Sequence, residues 1–273
     1  MSAGRAPARR APRPWEAALT NAPFFQHSDS RFDLDTALLD IRTAAKIDVG
    51  VRGGPVRLII NGRHHKPVGR YASRKARRSL PWEALAELAY LWVCEADADV
   101  VSYLSQPHRL TIRLPGGKSA VYYPDVRRDL ADGGVEIVEI KKREEDARRT
   151  PDYALKLELA RLVYEGLGWT YLILSEADLK DRRELRTAEA IQRNRTARVT
   201  GQERHRLAEA VYRAGGSLPF AEAAEALGGG SRGRAKLHAA IVLRVVSIDL
   251  TRPLNRGAPV RLVSPAARAA VTR

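Results

Sequence analysis

The chain has 273 residues, 44% of them hydrophobic, enough for a buried core of one or two domains. Its 47 Lys and Arg against 32 Asp and Glu leave a formal charge of +15, which favours a polyanionic partner, nucleic acid first; composition bias towards Arg is the plainer source of such charge. A single cysteine, Cys94, excludes a disulfide framework and a multi-cysteine zinc site. No apolar run reaches the roughly 18 residues that span a bilayer, and the basic start MSAGRAPARRAPRP lacks the apolar segment of a secretory signal, so the expected location is cytoplasmic.

In chain order, residues 1–30 are rich in Pro, Ala and Arg and read as a disordered basic arm. Residues 31–79 read as an N-terminal extension. Apolar residues recur at helical spacing over 33–45, and Asn61-Gly62 interrupts an apolar run as a hairpin turn would. The segment RHHKPVGRYASRKARR, from Arg63 to Arg78, holds no acid and no apolar period. It reads as a loop, either a solvated surface run or a phosphate-contacting segment through Arg74, Lys75, Arg77 and Arg78. His64 and His65 have no metal-ligating neighbour in sequence and read as surface residues.

Residues 80–180 read as one mixed α/β domain. LPWEALAELAYLWVCEA, from Leu80 to Ala96, is a helix with Pro81 in its first turn and Glu83 and Glu87 on one face. Cys94 sits in its apolar part and reads as a buried thiol. VVSYLSQP and HRLTIRL are strands. Pro115-Gly116-Gly117 is a turn, and SAVYYPDV and GVEIVEIKK are strands around LADGG. Thr150 and Pro151 start a helix that ends near Gly166 and Gly168, and WTYLILSEADL is a strand entering a short helix. Trp82, Trp92 and Trp169 read as core residues, and His108 as structural.

Residues 181–200 are polar and read as a linker. Residues 201–263 read as three helices, the first two stopped by glycines, followed by the strands VSIDL and PVRLV; residues 264–273 are a tail. That order is the order of a winged helix, and Arg232, Arg234 and Lys236 fall near the start of its third helix, where such modules meet DNA. A small helical domain for protein contacts is the alternative.

The chemistry concentrates in YYPDVRRDLADGGVEIVEIKK, from Tyr122 to Lys142. Alternation along a strand puts Glu139 and Lys141 on one face and Val138 and Ile140 on the other. A strand-turn-strand returns Asp125 beside Glu139. Two carboxylates and a main-chain carbonyl suit Mg²⁺, with Mn²⁺ as a substitute. A lysine beside them can orient or deprotonate water and stabilise charge on a phosphate. On this reading the two strand charges line a cleft at the edge of the core. The alternative is an exposed strand with an ordinary Glu/Lys pair.

Pro124-Asp125 followed by Glu139-Ile140-Lys141 resembles the PD-(D/E)xK nuclease superfamily. Residues 80–179, from LPWEALAELAYLWVCEADADVVSYLSQP through YYPDV and VEIVEIKK to GWTYLILSEADL, resemble TnsA-type endonuclease subunits of heteromeric transposases. The resemblance implies an α/β fold: a restriction-endonuclease-like mixed sheet flanked by helices, followed by a winged-helix-like domain. It implies a metal-dependent endodeoxyribonuclease. Asp125 and Glu139 would hold Mg²⁺, Glu87 (matched by its spacing to Gln106, with Glu83 as fallback) would complete or support the metal shell, and Lys141 would position the attacking water. Lys156 matches a lysine frequent in the family, and Glu139 stands where some members have Gln. The implied partners are duplex DNA at a transposon end and a transposase subunit that cuts the other strand; no membrane is implied. A stand-alone restriction or repair nuclease and a non-catalytic DNA-binding adaptor are the other readings.

Overall fold

A computed structural model of the chain describes residues 45–50, 55–56, 67–114, 118–181 and 183–263. The basic arm, most of the helix expected over 33–45, the Asn61-Gly62 turn, His64 and His65, the Pro115-Gly116-Gly117 turn and the tail lie outside them.

The described chain begins with strand β1 (Ala45–Val49), so Ala45 opens a strand and does not close a helix. The basic segment expected to be a loop contains a hairpin, β2 (Gly69–Ser73) and β3 (Arg78–Trp82), with Tyr71 opposite Leu80. Tyr71 and Leu80 are both buried, and they supply the apolar spacing that the surrounding charges mask. Pro81 belongs to β3, so helix α1 (Leu85–Ala96) starts later than expected and Glu83 precedes it.

Strands β4 (Val100–Ser105), β5 (His108–Arg113) and β6 (Ser119–Tyr122) follow. β7 (Val126–Leu130) is a strand of its own that the sequence reading did not separate from the turn. Pro124 stands between β6 and β7, where the chain passes from one sheet to another; it has no N–H for either ladder. β8 (Val135–Lys141), helix α2 (Pro151–Gly166) and β9 (Thr170–Ser175) complete this part. Thr150 caps α2 by accepting from the Tyr153 N–H, and Pro151 opens it.

One sheet has the order β4-β7-β8-β9, antiparallel except for the parallel β8–β9 pair; another has the order β1-β5-β6. α1 packs on one face of β8 through Tyr90, Leu91 and Cys94 against Val138. On the other face, Ile137 joins Leu157, Ala160 and Tyr164 of α2 and Leu110 and Ile112 of β5. Each such Leu, Ile or Val side chain, fully buried, contributes about 1.5–3 kcal/mol of transfer free energy. This double cover explains why the neighbours Ile137 and Val138, which face opposite sides of β8, are both apolar and buried. Trp82 and Trp92 pack against the α1 cluster and Trp169 against the α2 cluster.

Helices α3 (Glu176–Asp181) and α4 (Arg183–Gln192) come next. The segment read as a linker is therefore helical as far as Gln192, and that helix is packed. Ala188 and Ile191 are fully buried, Tyr71 OH donates to Gln192 Oε1 at 2.5 Å, and Gln192 Nε2 donates to the Trp92 carbonyl at 3.2 Å. The chain continues through α5 (Gly201–Arg213), β10 (Ser217–Pro219), α6 (Phe220–Glu225), α7 (Gly230–Val242), β11 (Val246–Ser247) and β12 (Pro259–Leu262). The short strand β10 replaces the start of the expected second helix, and the three strands form a sheet of order β10-β12-β11. α6 and α7 approach so closely that a Cβ on Gly233 would lie 2.2 Å from the Ala224 carbonyl oxygen, which only glycine allows. The architecture is a mixed α/β fold with antiparallel and parallel strands and flanking helices.

Candidate active site

The β7–β8 pairing places Val126 opposite Val138, so Asp125 and Glu139 meet at the end of that ladder. The Ile140 N–H donates to Asp125 Oδ2 at 2.6 Å, and the Gln106 N–H donates to the Asp125 carbonyl at 2.8 Å. Among the described residues Oδ1 of Asp125 accepts no hydrogen bond.

Glu139 is buried, 4% exposed, rather than lining an open cleft as expected. Its charge is tolerated because donors surround it. Tyr122 OH donates to Oε2 at 2.5 Å; Tyr153 OH at 3.1 Å and Lys141 Nζ both donate to Oε1. Lys141 Nζ also donates to Tyr153 OH, and Tyr122 OH meets Tyr171 OH at 2.9 Å. Lys141 and Lys156 each lie over the Tyr153 ring, at 4.9 and 4.8 Å from its centre.

Glu87 is in the first turn of α1, and its Oε2 accepts the Glu83 N–H at 2.9 Å, holding the entry to the helix. Glu83 itself accepts from Gln106 Nε2. Gln106 has φ 46, a left-handed conformation uncommon for a side-chain-bearing residue, and its Oε1 is buried without a partner among the described residues.

Burial, opposed by the Glu83 N–H, and repulsion from Glu83 and Glu139 push Glu87 up to about 7. Burial first, then Glu139 and Glu87, raise Asp125 well above the usual carboxylate range. Glu87 is thus a helix acid whose charge acts on Asp125, and Glu83 acts in turn on Glu87. Burial works to lower the Lys141 pKa, but Glu139 and Tyr153 outweigh it and the net shift is upward. In this arrangement the contacts of Lys141 favour its protonated form, which can donate to water or phosphate.

The structure brings together Asp125, Glu139, Lys141 and Glu87. Among the described residues no three Asp, Glu, His or Cys side chains converge closely enough to form a metal cage as they stand. The donor chemistry nonetheless suits a hard divalent cation: Asp125 offers Oδ1, and Asp125 and Glu87 repel each other in the absence of one. Glu139 Oε1 already accepts from Lys141 and Tyr153, while Oε2 accepts from Tyr122 alone among the described residues and keeps acceptor capacity.

Tyr122, Tyr153, Tyr171 and Gln106 were missed as site residues. Their signal was indirect. A buried carboxylate needs hydroxyl or amide donors, and tyrosines flank both the Pro124-Asp125 pair and the start of α2. His108 is structural, its Nε2 at 2.7 Å from Tyr164 OH. Cys94 is buried, and burial pushes its thiol up to about 12.

Two of the expected phosphate contacts turn inward. Lys75 Nζ donates to the Cys94 carbonyl at 3.0 Å and to the Asp97 carbonyl, at the C-terminal end of α1. Arg74 donates to the Arg195 and Ala197 carbonyls at 3.0 and 3.3 Å. Lys236 is paired with Glu203. Arg77, Arg232 and Arg234 are exposed, while Arg78 is half-buried and donates to the Ala76 carbonyl at 3.3 Å.

Residues 97–176 match the family model described as TnsA-like endonuclease N terminal. This TnsA-like stretch is less than a third of the chain. It includes Gln106, Asp125, Glu139, Lys141 and Tyr153 and begins after Glu87. No curated protein matches the chain. Among the described residues no helix is long and apolar enough to cross a membrane.

Proposed function

We propose that the chain is a metal-dependent endodeoxyribonuclease, the TnsA-like subunit of a heteromeric transposase that hydrolyses one phosphodiester at a transposon end. One observation carries the reading: within the TnsA-like match, Asp125 meets Glu139 and Lys141 at the end of one strand pair, with Glu87 close enough to repel Asp125. Mg²⁺, with Mn²⁺ as a substitute, would be held by Asp125, Glu87 and Glu139. When bound, the cation supplies Lewis-acid stabilisation of phosphate charge and a more acidic water.

The chain's own residues do the rest. The Ile140 N–H orients Asp125. Tyr122 and Tyr153 orient Glu139, and Tyr153 holds Lys141 beside it. Lys141, charged, donates to the attacking water or to a non-bridging phosphate oxygen, where negative charge grows in the transition state. The C-terminal unit, residues 201–263, is proposed as a winged-helix-like DNA-docking module; its helix–strand–helix–helix–strand–strand order supports that reading. Arg77 and Arg232 would add sequence-independent phosphate contacts.

Cleavage of end-labelled transposon-end duplex by the full chain, with Mg²⁺ and the transposase subunit present, tests the reading. One strand cut by wild type and left intact by Asp125→Asn supports it. Equal cutting by both proteins refutes it.

A further inference from the structure

We propose that a recessed site between the end of α4 and the C-terminal helices binds a phosphoryl group. A cavity of about 690 Å³ opens there, walled by Arg193 and Asn194 after α4, Glu225 of α6, Arg234 and His238 of α7, and Arg256. The size is that of a ligand site. It lies outside the TnsA-like match and does not rest on the nuclease reading.

His238 marks the cavity as more than a charged surface. The residue is 4% exposed, and its Nε2 is buried without a hydrogen-bond partner among the described residues. Asn194 Nδ2 lies 3.1 Å from His238 Nδ1. The amide donates to Nδ1, which leaves the ring proton on Nε2 as an unused donor. Burial and the nearby Arg234 guanidinium push His238 down to about 4, so the ring is neutral at pH 7. A buried donor without a partner costs about 1–3 kcal/mol, and an acceptor oxygen that reached Nε2 from the cavity, with the small side-chain shift its burial requires, would relieve that cost.

The surrounding charge selects an anion. Arg193, Arg234 and Arg256 are exposed at the cavity, and none makes an ion pair or side-chain hydrogen bond among the described residues. The N-terminus of the 13-residue helix α7 opens into the same space, adding its unpaired N–H groups and dipole. Glu225 lies against the first residue before that helix: a Cβ on Gly229, which has φ +66, would come within 2.3 Å of its carboxylate. One carboxylate against three guanidiniums leaves the cavity positive. Arginine forks and a neutral N–H donor suit the tetrahedral oxygens of phosphate.

The test follows the His238 Nε2–H resonance of the full-length, ¹⁵N-labelled chain at constant ionic strength. Inorganic phosphate, a deoxynucleoside 5′-monophosphate and a short unphosphorylated duplex are titrated separately. The expected result is a saturable shift whose midpoint moves at least tenfold higher in Arg193→Ala and Arg234→Ala and stays put in Arg206→Ala, an exposed arginine on α5. A shift with phosphate or the monophosphate identifies a free phosphorylated ligand; a shift with duplex alone identifies a strand phosphodiester. No shift with any of the three, a shift that does not saturate, or equal weakening by Arg206→Ala overturns the proposal.

Discussion

Glu139 is met by two tyrosine hydroxyls and Lys141, whereas Asp125 is met by one backbone N–H and faces two further carboxylates. The two acids therefore differ in what their removal does. Asp125→Asn keeps an acceptor for the Ile140 N–H and removes repulsion, so it should raise the melting temperature of the metal-free protein by about 2–4 °C, the equivalent of roughly 1 kcal/mol. Glu139→Gln leaves Lys141 without its buried counter-ion and should cost roughly 3 kcal/mol. Thermal and urea unfolding of the two variants check this asymmetry; equal effects would contradict it. Glu87 adds a pH dependence. Its folded pKa, about 7, lies above the ordinary 4.5, so the folded chain keeps a proton there that the unfolded chain releases. The resulting stabilisation is full below pH 4.5 and is lost as pH rises through 7. Urea unfolding in metal-free buffer should show wild type losing stability relative to Glu87→Gln across that window; parallel curves would remove Glu87 from the cluster. Asp125, Glu139 and Lys141 were legible because strand period and a short turn place them together. The tyrosines were not, since their hydroxyls arrive from β6, α2 and β9, elements that meet only in the folded chain.

At the scale of elements, pattern worked where one period dominated. α2 and β8 stand where spacing and capping residues put them. The segment Arg63–Arg78 failed because its charges outnumber its apolar residues. Its described part nevertheless forms β2 and reaches β3, held by contacts invisible in sequence. Glu95 of α1, fully buried, accepts from Ser73 Oγ at 2.7 Å, the Arg74 N–H at 2.7 Å and Tyr103 OH at 2.6 Å. Lys75 completes the clamp on the end of α1. A residue read as a phosphate contact is thus a helix-end donor. Lys75→Met should lower unfolding free energy by about 1.5–3 kcal/mol, since its hydrogen bonds carry charge, with little change in DNA affinity at fixed salt. A loss of DNA affinity without loss of stability would restore the surface reading.

Across the whole molecule, the expected division at residues 181–200 meets a shared core. Val93 and Ala96 of α1 pack in one cluster with Ala188 and Ile191 of α4 and with Leu207, Leu237 and Ile241 of the C-terminal unit. Arg244 Nε donates to the Ala98 carbonyl at 2.8 Å across the same boundary. Interfaces built from buried apolar side chains couple folding, in contrast to the polar contacts of loosely tethered domains. Denaturant unfolding of the full chain should show one transition by fluorescence and circular dichroism alike; two resolved transitions would mean independent units. The central claim is that Asp125 and Glu139 form a live metal site. Calorimetric titration of Mn²⁺ into the full chain, with a short duplex present, tests it most directly. Saturable heat in wild type, lost in Asp125→Ala/Glu139→Ala, is the predicted result. Equal heats from both proteins would contradict the account and leave these charges a structural role.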